Sequence, residues 1–399
     1  MKIKRHYEKL EQFLEPNKVL VMYGPRRVGK TTLLRDFLAE TKLRYRFDIG
    51  DDLSVRAALG AQEQKIIKEY AEGKELIVID EAQKIPNIGA GLKIMVDTIP
   101  GIRVIATGSS SFELLGQIGE PLTGRKRTLT LFPIAQMELA AQVGRYDVKQ
   151  SLSDTLVFGG YPEIASGDLS RAQKEEALKE IVNSYLLKDI FELDRVRSPK
   201  GLMDLLRLVA YQVGSEVALS ELGTQIAMDT KTVARYLDLM EKAFVLFNLR
   251  GYSRNMRSEV TKKSKYYFYD NGVRNAVVAN FNPIENRNDV GALWENFLVM
   301  EREKVRAYTP IHANPYFWRT WDRQEVDLVE DREGKLFGYE FKWGNTKVKE
   351  PRDWCGTYAE ASYEVITTEN YLPFVGVPDL TPHTIKTRRP RVGVTKVRH

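Results

Sequence analysis

The sequence predicts an α/β chain that opens with a parallel sheet and continues into smaller mixed units. One apolar run leads into a glycine-rich turn and a helix, NKVLVMYGPRRVGKTTLLRDF at residues 17–37. Two further apolar runs follow, ELIVID at 75–80 and IRVIATG at 102–108, with helical segments between them. Apolar runs without alternation mark strands buried on both faces. Strands alternating with helices wind into a parallel sheet.

Length and composition fit this reading. The 399 residues suffice for several domains, and 43% of them are apolar, so folded units are expected rather than disorder. Cys355 is the only cysteine, which excludes an intrachain disulfide and a thiolate zinc cluster and favours a reducing, cytoplasmic setting. The opening MKIKRHYEKLEQFLEP has no apolar core of a signal peptide, and no apolar run approaches membrane-spanning length, so no membrane partner is expected. The net charge of +6 permits a polyanionic partner and equally fits an ordinary basic surface.

The first element carries the strongest motif. Gly24, Pro25, Arg26, Arg27, Val28, Gly29, Lys30 and Thr31 fit G-x-x-x-x-G-K-[ST], with Thr32 next on the helix. Its glycines let backbone amides turn toward a phosphate, and the helix N-terminus adds favourable potential. Lys30 is expected on the β/γ-phosphates and Thr31 on Mg²⁺. The second apolar run ends in Asp80-Glu81, placing Asp80 on the metal side and Glu81 beside the attacking water. ATP and Mg²⁺ are the expected ligands.

These two motifs, with ATGSSS (106–111), LTGRKR (122–127) and FGGYPEI (158–164), resemble the prokaryotic AAA+-type P-loop ATPases that carry a C-terminal region of unknown function. The resemblance spans most of the chain. It implies that TGSS ends a sensor strand, with Ser109 or Thr107 sensing the γ-phosphate or water and Ser109 preferred. The family's usual sensor asparagine is absent. It also implies an arginine finger at Arg125, or alternatively Arg127, completing a neighbour's site in a homo-oligomer. No arginine matches a second sensor.

Beyond residue 140 the composition changes. FGGYPEIASGD (158–168) is turn-rich, an amphipathic helical region follows from about 171 to 193, and RSPK (197–200) reads as a linker. LSELGTQIAMDTKTVARYLDLMEKAFVLFNL (219–249) reads as two helices around a short turn, with Asp229 or Thr230 capping the second. Lys231, Thr232 and Arg235 then lie off its apolar stripe, where a winged-helix domain presents groups to DNA. The following basic stretch, 250–265, would form a wing, with Arg254, Lys262 and Lys263 contacting phosphate; packing or protein contact is the competing reading. KYYFYDNGVRNAV (265–277) closes the unit with a strand and a turn. The tail from 383 is also basic.

The last third reads as a helix at 290–305, a strand at 316–321 and a hairpin, RQEVDLVEDREGKLFGYEFKWG (323–344), turning at Gly334. Asp327 lies on one strand. Glu340 and Lys342 share one face of the next, because strand side chains alternate. With Glu295 on the helix, this order resembles the PD-(D/E)XK nuclease-like fold. Carboxylates are hard ligands for Mg²⁺ or Mn²⁺, and an amine beside them can orient water or neutralise phosphate charge. The expected organisation is an AAA+-like core at 1–140, a helical lid at 141–198, a winged helix at 199–280, a nuclease-like domain at 285–372 and a basic tail at 373–399. DNA is the expected partner. A regulatory ATPase switch with an inert C-terminal domain and a protein partner is the alternative.

Overall fold

The computed structural model describes residues 2–109, 121–186, 190, 198–252, 264–320, 324–344, 348–358 and 360–379. The expected phosphate contacts Arg254, Lys262 and Lys263, the sensor-strand end at 110–111 and the basic tail from 383 lie outside them.

The N-terminal unit is a five-stranded parallel sheet in the order β2-β3-β4-β1-β5. Its strands are β1 (Lys18–Tyr23), β2 (Tyr45–Ile49), β3 (Leu76–Asp80), β4 (Arg103–Gly108) and β5 (Lys126–Thr130). Helix α1 (Lys30–Glu40) follows β1, and α2 (Ile88–Thr98) lies between β3 and β4. Both faces of the sheet are buried, as the unbroken apolar runs require. Leu20, Met22, Val78 and Ile105 share a core with Leu33, Leu34 and Phe37 of α1. Val19, Val21, Ile77, Ile79 and Val104 share another with Ile88, Leu92 and Met95 of α2.

Helices then follow, including α3 (Gln136–Val143), Pro162–Ala165 and α4 (Arg171–Glu180). Within the region expected as one helix from 171, Arg171–Glu180 is α-helical and Ile181–Leu186 is a π-helix. Gly159 meets the next unit so closely that an added Cβ would lie 2.0 Å from Asp270 Oδ1, and its φ of 75° already suits only glycine well. The Asp270 carboxylate accepts from the Gly160 amide at 2.7 Å.

Helix α5 (Pro199–Tyr211) is followed by α6 (Leu219–Gln225) and α7 (Thr230–Lys242), the expected helix pair. Of the two expected caps it is Asp229 that serves, accepting from the Thr232 amide at 2.9 Å and the Thr232 hydroxyl at 2.6 Å. The turn expected after Lys265 is a helix, Asn271–Val277, capped by Asp270.

The C-terminal half differs from two separate units. Strands β6 (Glu216–Val217), β7 (Leu246–Gly251), β8 (Ser264–Phe268), β9 (Asn314–Arg319), β10 (Glu325–Arg332), β11 (Lys335–Phe341) and β12 (Ser362–Ile366) form one seven-stranded sheet, in the order β12-β11-β10-β9-β7-β8-β6. The join is a parallel pairing of β7 with β9, Arg250 opposite Tyr316 and Gly251 opposite Phe317. Helix α8 (Val290–Tyr308) packs on this sheet and also on the segment after β5, where the Glu301 carboxylate accepts from the Gln136 amide at 2.7 Å. Among the described residues, no helix is long and apolar enough to cross a membrane.

Candidate functional site

The glycine-rich loop connects β1 to α1 at the C-terminal edge of the parallel sheet. Gly24 is required by close approach: at φ 151°, an added Cβ would lie 2.0 Å from the Leu131 carbonyl oxygen. Val28 and Lys30 are buried, and Arg27 is exposed with φ 61°. The Lys30 ammonium folds back over the loop and donates to the carbonyls of Gly24 and Pro25, each at 2.8 Å. The Thr31 hydroxyl donates to Asp80 Oδ2 at 2.7 Å. Strand β4 lies between β1 and β3, and its Thr107 hydroxyl donates to Asp80 Oδ1. Asp80 thus gathers hydroxyls from both sides.

Glu81 adopts φ 53°, and its amide donates to Asp80 Oδ1 at 3.2 Å. Gln83 Nε2 donates to Glu81 Oε2 at 2.6 Å and to the buried Ser109 hydroxyl at 3.3 Å. Of the two sensor candidates, Thr107 is therefore the one bonded to Asp80, whereas Ser109 reaches the same cluster through Gln83. A cavity of about 640 Å³ opens above, lined in part by Arg26, Arg27, Lys30, Thr31, Thr32 and Glu81. Asp51 and Lys84 join it from elements that no local motif marks, and Pro162 and Glu163 reach it from the FGGYPEI segment. Arg27 ties the loop to the helical region that follows the sheet, pairing with Glu163 and Glu180 at 3.1 Å each.

Arg125 lies at the other end of the sheet. Its carbonyl accepts from the Val19 amide at the start of β1, and its guanidinium pairs with Asp97 at 2.6 Å. β1 separates it from its own phosphate loop. Arg127 sits over the Phe13 ring, 4.8 Å from its centroid.

A second polar cluster occupies the C-terminal sheet. The hairpin register, Leu328 opposite Tyr339, carries Asp327 to a place opposite Glu340. Asp327 Oδ2 accepts from the Phe341 amide at 2.8 Å. Lys342 donates to Glu340 Oε1 at 2.6 Å, while Glu340 Oε2 is buried without a hydrogen-bond partner. Burial, reinforced by Glu295, pushes Asp327 up to about 7. Burial, reinforced by Asp327, pushes Glu340 up to about 7. The four residues expected at this site therefore do converge.

Lys265 also belongs to the cluster, which corrects its place in the expected phosphate-binding wing. It is 2% exposed and pairs with Glu295 at 3.2 Å and Glu325 at 2.6 Å. Burial opposes its charge, but Glu295, Asp327 and Glu325 together hold its pKa above the usual lysine value. Tyr267 adds a hydroxyl donor to Glu295 at 2.7 Å. Among the described residues, no group of three or more His, Cys, Asp or Glu side chains is arranged to hold a metal ion. On α7, Lys231 and Arg235 are exposed and Thr232 is engaged with its cap.

Residues 16–140 match the family described as AAA domain. Residues 149–284 match a domain of unknown function (DUF8612), and residues 290–381 another (DUF4143). An uncharacterized protein of Mycobacterium tuberculosis is 28% identical over 345 residues, covering 85% of this chain and 73% of that protein. Another, from Haemophilus influenzae, is 27% identical over 310 residues, covering 70% and 76%. Among solved structures, a signal transduction ATPase with numerous domains and a tetratricopeptide repeat sensor, from Pyrococcus horikoshii, aligns with a TM-score of 0.30 and 14% identity. That alignment covers 78% of this chain and 46% of that one. The N-terminal region is a P-loop ATPase-type domain, and nucleotide binding goes with that family.

Proposed function

We propose that the chain binds and hydrolyses ATP with Mg²⁺ and uses the nucleotide state to control its C-terminal half. The observation that carries this reading is the Thr31–Asp80–Thr107 network beside Lys30. Thr31 and Asp80 present hard oxygens, a donor set that fits Mg²⁺, and the bound ion would offset phosphate charge. Lys30 would turn from the Gly24 and Pro25 carbonyls to the β/γ-phosphates, with the amides from Arg26 to Thr32 around them. Glu81 orients the attacking water and takes its proton, and Gln83 fixes Glu81 and links it to Ser109. Arg125, at the far end of the sheet from its own loop, would complete a site only on a neighbouring copy. Lys30→Ala is expected to lose ATP binding, and Glu81→Gln to bind ATP while hydrolysing it poorly. Unchanged ATP affinity in Lys30→Ala would remove this site from the proposal.

In the C-terminal half, Lys231, Thr232 and Arg235 on α7 would face DNA in a winged-helix arrangement, with Arg254, Lys262 and Lys263 on the wing. The nuclease-like cluster is read as inert, because Lys265 already supplies a cation to Glu295 and Glu325. One observation favours the second reading, metal-dependent DNA cleavage through Glu295, Asp327, Glu340 and Lys342: Glu340 Oε2 is buried and unpartnered. Nicking of supercoiled DNA with Mg²⁺ or Mn²⁺ decides between the two. Cleavage by the wild type that Asp327→Ala abolishes would establish the second reading and overturn the first.

A further inference from the structure

We infer that Arg5, far from the motif in sequence, is a positioning residue for the phosphate loop. This rests on the nucleotide site proposed above. Arg5 lies in the segment before β1, and its side chain is 8% exposed. Nη1 donates to the carbonyl of Val28, inside the loop, at 2.5 Å. Nη2 donates to the Phe132 carbonyl at 2.7 Å, in the segment after β5 whose Leu131 lies against Gly24. Nε and Nη2 also reach the two Glu138 oxygens, at 3.0 and 3.3 Å. One rigid guanidinium therefore ties the loop to a wall made by residues 131–138.

The wall is itself fixed. Glu138 accepts from the His6 amide at 2.7 Å and the Ala135 amide at 2.8 Å. The Phe132 amide donates to the hydroxyl of Tyr308, in the last turn of α8, at 3.3 Å. His6 stacks on Tyr308, with centroids 4.7 Å apart. Burial works against the Arg5 charge, but Glu138 and Tyr308 hold its pKa above the usual arginine value. The charge stays on, and its cost is met by Glu138.

The consequence concerns the amides that follow. A P-loop binds phosphate with backbone N–H groups, so its affinity depends on how each peptide plane is set. Holding the Val28 carbonyl on the arginine side sets the plane between Val28 and Gly29. The Gly29 amide of that plane is then turned to the opposite side. Lysine cannot do the same, because its single ammonium lacks the planar fork that spans Val28, Phe132 and Glu138 together.

The test uses the full chain and compares Arg5→Lys and Arg5→Met with His6→Ala. The last variant loosens the same wall without touching Val28. Nucleotide affinity is read with ATP by calorimetry, KM and kcat from steady-state hydrolysis, and thermal stability alongside. Both Arg5 variants are expected to raise Kd and KM for ATP about tenfold or more, the scale of one lost charge-assisted hydrogen bond, with a smaller change in kcat. His6→Ala is expected to lower the melting temperature while leaving KM within about twofold. Arg5→Lys keeps a charge beside Glu138, so it gives a readable variant even if Arg5→Met does not fold. Unchanged KM in Arg5→Lys, or an equal rise in His6→Ala, would reduce Arg5 to a structural tie and overturn the inference. A wild type that binds no ATP would overturn the nucleotide site itself.

Discussion

Replacing Glu330 by glutamine removes one charge from the centre of the α8–β10 contact. Glu330 is fully buried, and its two oxygens accept from Arg302 at 2.8 and 3.1 Å, from Arg306 at 3.1 Å and from Arg332 at 3.1 Å. Burial opposes its ionisation, yet these guanidinium groups, Arg302 foremost, hold its pKa at about 2 instead of 4.5. At about 1.4 kcal/mol per pH unit, that drop corresponds to about 3 kcal/mol of stability at neutral pH. This agrees with the cost of breaking a buried pair, about 3–5 kcal/mol, since Arg302 and Arg306 would stay buried facing each other. The sign follows from proton counting. The unfolded chain takes up the proton near 4.5 and the folded chain near 2, so the stabilisation is complete above the first value and is lost as pH falls toward the second. Urea unfolding of wild type and Glu330→Gln at pH 7 is expected to differ by about 3 kcal/mol, shrinking to about half of that or less at pH 3. A difference under about 1 kcal/mol at pH 7, or one that does not shrink at pH 3, would refute the assignment of this charge as a net stabiliser.

Three further outcomes are expected. Lys265→Met leaves Glu295, Glu325 and Asp327 without their shared cation, so it should cost about 3–5 kcal/mol at pH 8, with part regained near pH 5 as Asp327, pushed up to about 7 by burial, takes up a proton; urea unfolding at both pH values checks this. Gly159→Ala should destabilise by about 1–3 kcal/mol, because its Cβ would strike Asp270 Oδ1 at a φ of 75°; a melting temperature equal to wild type would show that Asp270 can move aside. If α7 binds DNA, neutralising Lys231 and Arg235 together should flatten the salt dependence of binding by about 1 for each phosphate left without its cation, and an unchanged slope in fluorescence anisotropy would leave α7 a solvated face.

Local pattern made the phosphate loop, Asp80-Glu81, the α6–α7 pair, α8 and the Gly334 hairpin legible, because each is a short-range device of turn, cap or period. Strand β2 was not legible: at the sheet edge its YRFDI is only partly buried and carries no apolar run. Lys265 was misread for a different reason. It sits beside a basic run, and nothing near it announces Glu295 or Glu325, which reach it only through the folded sheet. Arg5 was invisible in the same way, as one cation in a polar N-terminal segment whose partners lie on the loop and after β5. Asp51 and Lys84 reach the nucleotide cavity from positions that no linear motif marks, whereas Glu163 lies inside FGGYPEI, whose approach to the cavity exists only in the fold. The join of β7 to β9 also could not be read, since strand partners separated by an intervening helix leave no periodic trace.

That join governs where the chain can be cut. A fragment ending near residue 285 would keep β7 but lose β9, leaving the row of backbone donors and acceptors at Arg250 and Gly251 open to solvent. It would also lose α8, whose Leu293, Trp294 and Leu298 complete the core over Leu246 and Phe268. A fragment starting there would lack the opposite half: β9 would end the sheet, and Glu295 and Glu325 would face one another without the ammonium from β8. Each piece would expose an unpaired strand edge and invite self-association, so the two C-terminal segments are expected to fold and to stay in solution only when expressed together.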